Sequence, residues 1–88
     1  MSEYSIVRVY TSEKARYEGN DLAASIVSYI HSLRIGARCV VLRGVEGCYE
    51  SGETVTARIM DLSYNLPIVV DIVLPKPETE RVVERLEA

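Results

Sequence analysis

The segment Ile68-Val69-Val70-Asp71-Ile72-Val73-Leu74 constrains this chain more than any other. Its β-branched and aliphatic residues specify a strand. Pro67 opens it and Pro75 closes it, as proline's missing N–H permits at strand ends. Asp71 poses the physical problem, because an ionised carboxylate in a buried strand is costly unless it is paired. Either Asp71 faces solvent on one face of a sheet, or it meets a partner such as Arg43 or a neighbouring subunit.

The remaining elements follow from spacing. Tyr4 to Tyr10 is rich in β-branched and aromatic residues and reads as a first strand. Thr11 to Asn20 reads as a polar connection. Asn20 or Asp21 caps a helix whose stripe is Leu22, Ile26, Tyr29, Ile30 and Leu33, and Gly36 is expected to stop it. His31 falls opposite that stripe. Arg38 to Arg43 holds the run Cys39-Val40-Val41-Leu42, which predicts a strand covered on both faces. Gly44 to Thr54 carries three glycines and three acids and reads as a loop, with residues 47 to 55 among the most mobile of the chain. Val55 to Tyr64 reads as a strand end followed by a turn. Pro77, Glu78 and Glu80 suit the first turn of a final helix with Val82, Val83 and Leu86 on its apolar face.

The order is β-α-β-β-α. The first two strands flank a helix, and the third can slot between them. The expected fold is therefore α+β, a ferredoxin-like split βαβ sandwich without its final strand. Lacking that fourth strand, Tyr4 to Tyr10 should present a bare edge, which invites a strand from a neighbouring subunit or marks a shortened chain.

With 88 residues the chain is one domain, residues 1–88, and its core is small enough to favour oligomerisation. Thirteen acids against 10 bases give a net charge of −3, which argues against a nucleic-acid module. Met1-Ser2-Glu3-Tyr4 resembles no secretory leader, and the longest apolar run is too short to span a bilayer, so the expected location is the cytoplasm. Two cysteines make no disulfide framework.

Motif tests narrow the chemistry. Neither the Walker pattern nor the dinucleotide fingerprint is present, and His31 is the one histidine, so no metal cluster, cofactor or catalytic triad is expected. Gly44-Val45-Glu46-Gly47 matches the loop that clamps phosphates in KH domains, but an acid inside it and no base between Gly44 and Ala57 oppose that use. Cys39 reads as a small strand hydrophobe, and Cys48 sits between Glu46 and Glu50, which disfavour a reactive thiolate. Eight of the ten bases are arginines. Arg38 and Arg43 either cap strand ends and pair with Glu46 or Glu50, or hold a carboxylate or phosphate ligand.

Three segments together resemble the PII-like family catalogued as domain of unknown function 190. They are Gly19-Asn20-Asp21-Leu22, Val41-Leu42-Arg43-Gly44-Val45-Glu46-Gly47 and Leu62-Ser63-Tyr64-Asn65-Leu66-Pro67-Ile68-Val69-Val70-Asp71-Ile72-Val73. The resemblance implies a non-enzymatic regulatory homotrimer that binds an adenine nucleotide between subunits. It implies a loop, here Gly44 to Thr56, that reports the ligand to a protein partner such as a membrane transporter. It places the ligand site at Val41, Arg43, Gly44, Gly47, Cys48, Tyr49 and Asp71. Val41 would line the adenine pocket, Gly47 would bring the backbone close to the nucleotide, and Asp71 would face the cleft. Cys48, Tyr49 and Glu50 stand where the family usually has phenylalanine, a second glycine and a phosphate-facing arginine. Two other readings stay open: a small acylphosphatase-like hydrolase using Arg16 with Asn20 or Asn65, and a ligand-free assembly domain. The trimer contacts are expected at Val27 and Ile35, which flank the helical stripe.

Overall fold

A computed structural model describes residues 3–56 and 65–87. Three strands make the principal sheet: β1 (Tyr4–Ser12), β4 (Arg38–Arg43) and β7 (Pro67–Pro75). Their order is β1-β7-β4, and β7 runs antiparallel to both neighbours. The third long strand therefore lies between the first two. This three-stranded sheet with two helices is an α+β arrangement compatible with a ferredoxin-like split βαβ fold.

Alternation decides which residues of β7 enter the core. Ile68, Val70, Ile72 and Leu74 are buried, while the residues between them are half-buried. Successive side chains of a strand point to opposite faces, so the buried four share one face. Helix α1 (Leu22–Leu33) adds Ala23, Ile26 and Ile30 to this core, and α2 (Thr79–Glu87) adds Val82. Leu33 and Leu86 pack against the cluster, and Val83 is half-buried.

Asp21 caps α1, its carboxylate accepting from the Ala24 N–H at 3.2 Å. The helix stops before Gly36. Arg34 takes the left-handed cap conformation at φ 52°, and Gly36 follows at φ 75° in the same turn. At the other end of the chain, Pro77 sits in a short 3-10 turn, Lys76–Glu78, that leads into α2. His31 is exposed, as its place opposite the stripe implies.

Two segments read as irregular are paired ribbons. Within the polar connection, β2 (Arg16–Tyr17) pairs with β3 (Asn20–Asp21). Glu18 at φ 49° and Gly19 at φ 83° form the two-residue turn, the left-handed pair that matches strand twist. Within the glycine-rich loop, β5 (Glu46–Cys48) pairs with β6 (Thr54–Thr56). The Tyr49 N–H donates to the Glu53 carbonyl at 2.8 Å and the Gly52 N–H to the Tyr49 carbonyl at 2.9 Å, closing the tip. The expected strand end after Val55 is β6, and the turn expected to follow lies outside the described residues.

The expectation that β4 is covered on both faces is corrected. One layer of helices covers one face of the sheet, so Val40 and Leu42 on the other face are exposed. Tyr4, Ile6 and Tyr10 of β1 share that open face and are exposed as well. A continuous apolar run reports that both faces of a strand prefer cover, not which molecule supplies it. Strand β1 pairs with β7 on one side and forms the sheet edge in the described structure.

Candidate functional site

Strand β4 ends at Arg43, and the chain turns through Gly44 directly against Pro67. The Gly44 N–H donates to the Pro67 carbonyl at 2.8 Å. A Cβ on Gly44 would stand 2.8 Å from the Pro67 ring, and one on Gly47 would stand 3.1 Å from it. A close approach of the chain to itself therefore leaves no room for a side chain at Gly44 and little at Gly47, and neither glycine has a positive φ. The proline fixes where the β5–β6 ribbon leaves the sheet.

Glu13 ties this junction to the end of β1. Its N–H donates to the Leu66 carbonyl at 3.0 Å, and its carboxylate accepts the Leu66 N–H at 3.1 Å. The second carboxylate oxygen takes the Arg43 guanidinium at 3.2 Å. Asn65 extends the network, its side-chain oxygen accepting the Lys14 N–H at 2.8 Å. The Tyr49 hydroxyl donates to the Asn65 carbonyl at 2.6 Å. Burial raises the Tyr49 pKa above its ordinary value, so the hydroxyl keeps its proton as donor. Three stretches distant in sequence thus meet at one polar knot at the foot of the ribbon.

The structure places the expected site residues in three groups. Gly44, Gly47 and Tyr49 converge on Pro67 and Asn65, with Arg43 joined through Glu13. Val41 shares the face of Arg43, opposite Val70, and remains exposed, outside the group packed against the core that includes Cys39 of the same strand. Cys48 is exposed on β5. Asp71 lies on the other face of the sheet, away from this group. There it is directly opposite Arg8, which donates through Nε at 2.6 Å and through Nη2 at 3.4 Å. Hydrogen bonding to Asp71, then to Tyr10, raises the Arg8 pKa further above its ordinary value. Within one subunit Asp71 is thus both on the open face and paired, with Arg8 where Arg43 was anticipated.

Arg43 pairs with Glu13, a partner 30 positions away. Glu13, Pro67 and Arg8 carry the junction and the open face without having been assigned a role in a site, and Asn65, named only for the hydrolase reading, joins them at the junction. No local motif marks them, since each acts on a residue remote in sequence. Arg16 directs its guanidinium to the carbonyls of Glu13 and Ala15 at 2.9 and 3.1 Å. Cys39 is half-buried against the core, and burial pushes its thiol pKa up. Among the described residues, no three His, Cys, Asp or Glu side chains gather as a metal site, and no helix is long and apolar enough to cross a membrane.

The family described as Uncharacterized ACR, COG1993, domain of unknown function 190, matches residues 4–88. The chain belongs to this family. Domain of unknown function 190 lies in the PII-like superfamily, and the match spans every element of the sheet, the ribbon and both helices.

Proposed function

We propose that this chain is the subunit of a PII-like regulatory trimer in which the β5–β6 ribbon signals to a protein partner. The observation that carries the reading is the hydrogen-bonded foot of the ribbon. Glu13, Arg43, Gly44, Tyr49, Asn65 and Pro67 couple the ribbon to the ends of β1, β4 and β7. A ligand that displaced Glu13 from Arg43, or opened the Tyr49–Asn65 contact, would re-aim the ribbon through these hydrogen bonds. Arg43 suits such a ligand, because its planar fork recognises phosphate or carboxylate.

The open sheet face supports assembly. Tyr4, Ile6, Tyr10, Val40 and Leu42 are exposed around the Arg8–Asp71 pair, a largely apolar surface with a charged pair at its centre and the exposed Arg38 at the start of β4 on the same face. Exposed apolar patches of this kind mark interaction surfaces. The sheet face is a stronger candidate for the subunit contact than Val27 and Ile35, which are both half-buried within the subunit. In this reading the effector is an adenine nucleotide held between subunits near Val41, Arg43 and the ribbon foot.

Thermal unfolding of the full chain with ATP, ADP and AMP tests the reading. A ligand at 100 times its Kd adds about 2.7 kcal/mol to the folded state. For a domain of this size that raises the midpoint by roughly 10 °C or more. No shift with any of the three contradicts the nucleotide effector and favours a ligand-free assembly domain.

A further inference from the structure

A second concave site lies between the helices, sharing no residue with the ribbon foot. It is a cleft of about 170 Å³ whose apolar wall includes Val9, Leu22, Ile26 and Leu86. A dry cavity of roughly 150 Å³ accepts benzene, so a single ring fits this volume.

The lip of the cleft is a cation flanked by aromatic rings. The Arg85 guanidinium stands 5.8 Å from the ring centres of both Tyr17 and Tyr29. Both distances fall within cation–π range. The small β2–β3 hairpin brings Tyr17 there, and its hydroxyl accepts from Arg85 Nη2 at 3.1 Å. That hydrogen bond raises the Arg85 pKa further, so the group is a permanent cation. Among the described residues no carboxylate comes within ion-pair distance of Arg85; Glu18, at the hairpin turn, acts on it through its field alone. A guanidinium has five N–H donors, and Arg85 commits one of them to Tyr17. Arginines of this kind bind carboxylates in a two-pronged geometry.

We propose that this cleft binds a small aromatic carboxylate. The ring lies against Leu22, Ile26 and Leu86, and the carboxylate meets the Arg85 fork. The Tyr17 hydroxyl, which accepts from Arg85, keeps its own proton to donate to the same carboxylate. The tyrosine rings hold the guanidinium across the mouth, so the charged end is fixed before the ligand arrives. The apolar wall selects the ring, and the cation at the lip selects the anion over a neutral analogue.

Benzoate titrated into the isotope-labelled full chain tests this by nuclear magnetic resonance. The expected result is a saturable shift of the Leu22, Ile26 and Leu86 signals. Benzamide, the neutral analogue, should bind about tenfold more weakly, and Arg85→Leu should weaken benzoate by about tenfold or more. Arg85→Lys, which keeps the charge without the fork, should fall between, and serves as the test variant if Arg85→Leu does not fold. Millimolar benzoate that fails to saturate overturns the proposal. So do equal affinities for benzoate and benzamide, unchanged binding in the Arg85 variants, or shifts confined to the open sheet face.

Discussion

Ile72→Ala is expected to lower the folding stability of the subunit by about 2–5 kcal/mol, the range for truncating a fully buried aliphatic residue. Ile72 has no exposed surface and sits at the middle of the central strand. Val7 of β1 and Cys39 of β4 flank it in register, and both pack against the same core. Substitution removes its transfer free energy and leaves a cavity that strands bonded on both sides cannot easily collapse into. Urea unfolding at one fixed protein concentration measures the loss, since the stability of an assembling protein depends on concentration. An unchanged slope with a lower midpoint identifies the loss as stability. A loss below about 1 kcal/mol would place Ile72 outside the core.

Gly44→Ala is expected to cost about 1–3 kcal/mol, the cost of forcing extra volume into a packed contact. The new Cβ would meet the Pro67 ring at 2.8 Å and the Pro67 carbonyl at 3.4 Å. A proline ring has little freedom to turn aside. The two stretches also cannot separate without losing the Gly44 hydrogen bond of 2.8 Å. In a domain of this size each 1 kcal/mol moves the thermal midpoint by about 4–8 °C. The substitution should also shift the resonances of Tyr49 and Asn65, because the ribbon foot is one hydrogen-bonded unit. A Gly44→Ala protein with the wild-type midpoint and unshifted Tyr49 would show that the junction is loose.

The sheet and its central strand were legible in the sequence because their signals are local. Proline brackets β7, and the α1 stripe repeats at helical spacing. The hairpin at Arg16 to Asp21 was not legible, because four paired residues show no alternation and its turn depends on Glu18 adopting a left-handed backbone. The same holds for the β5–β6 ribbon, whose short strands contain Gly47 and Cys48 where alternating apolar residues would have marked them. At the candidate site, Gly44 and Gly47 were both placed among the ligand residues, and Gly47 alone was expected to bring the backbone close to something. The structure identifies a near neighbour as Pro67 of the same chain. Glu13 and Asn65 were invisible as a pair of clamps, since Glu13 meets Leu66 across 53 positions and Asn65 meets Lys14 across 51. Asp71 was correctly singled out as needing an explanation, but its partner Arg8 lies 63 positions away and becomes visible only through the strand register.

The uncovered face of the sheet links fold to function most closely. Val40 and Leu42 belong to a run whose pattern asks for cover on both faces, and α1 and α2 supply it on one. If a neighbouring subunit supplies the other, the Arg8–Asp71 pair becomes an interface anchor, and its modest value at a half-exposed surface rises as water is excluded. Sedimentation equilibrium of the full chain at micromolar concentration tests this directly. The proposed trimer predicts a single species of three times the 9.9 kDa chain mass. A stable monomer with the sheet face left in water would contradict it.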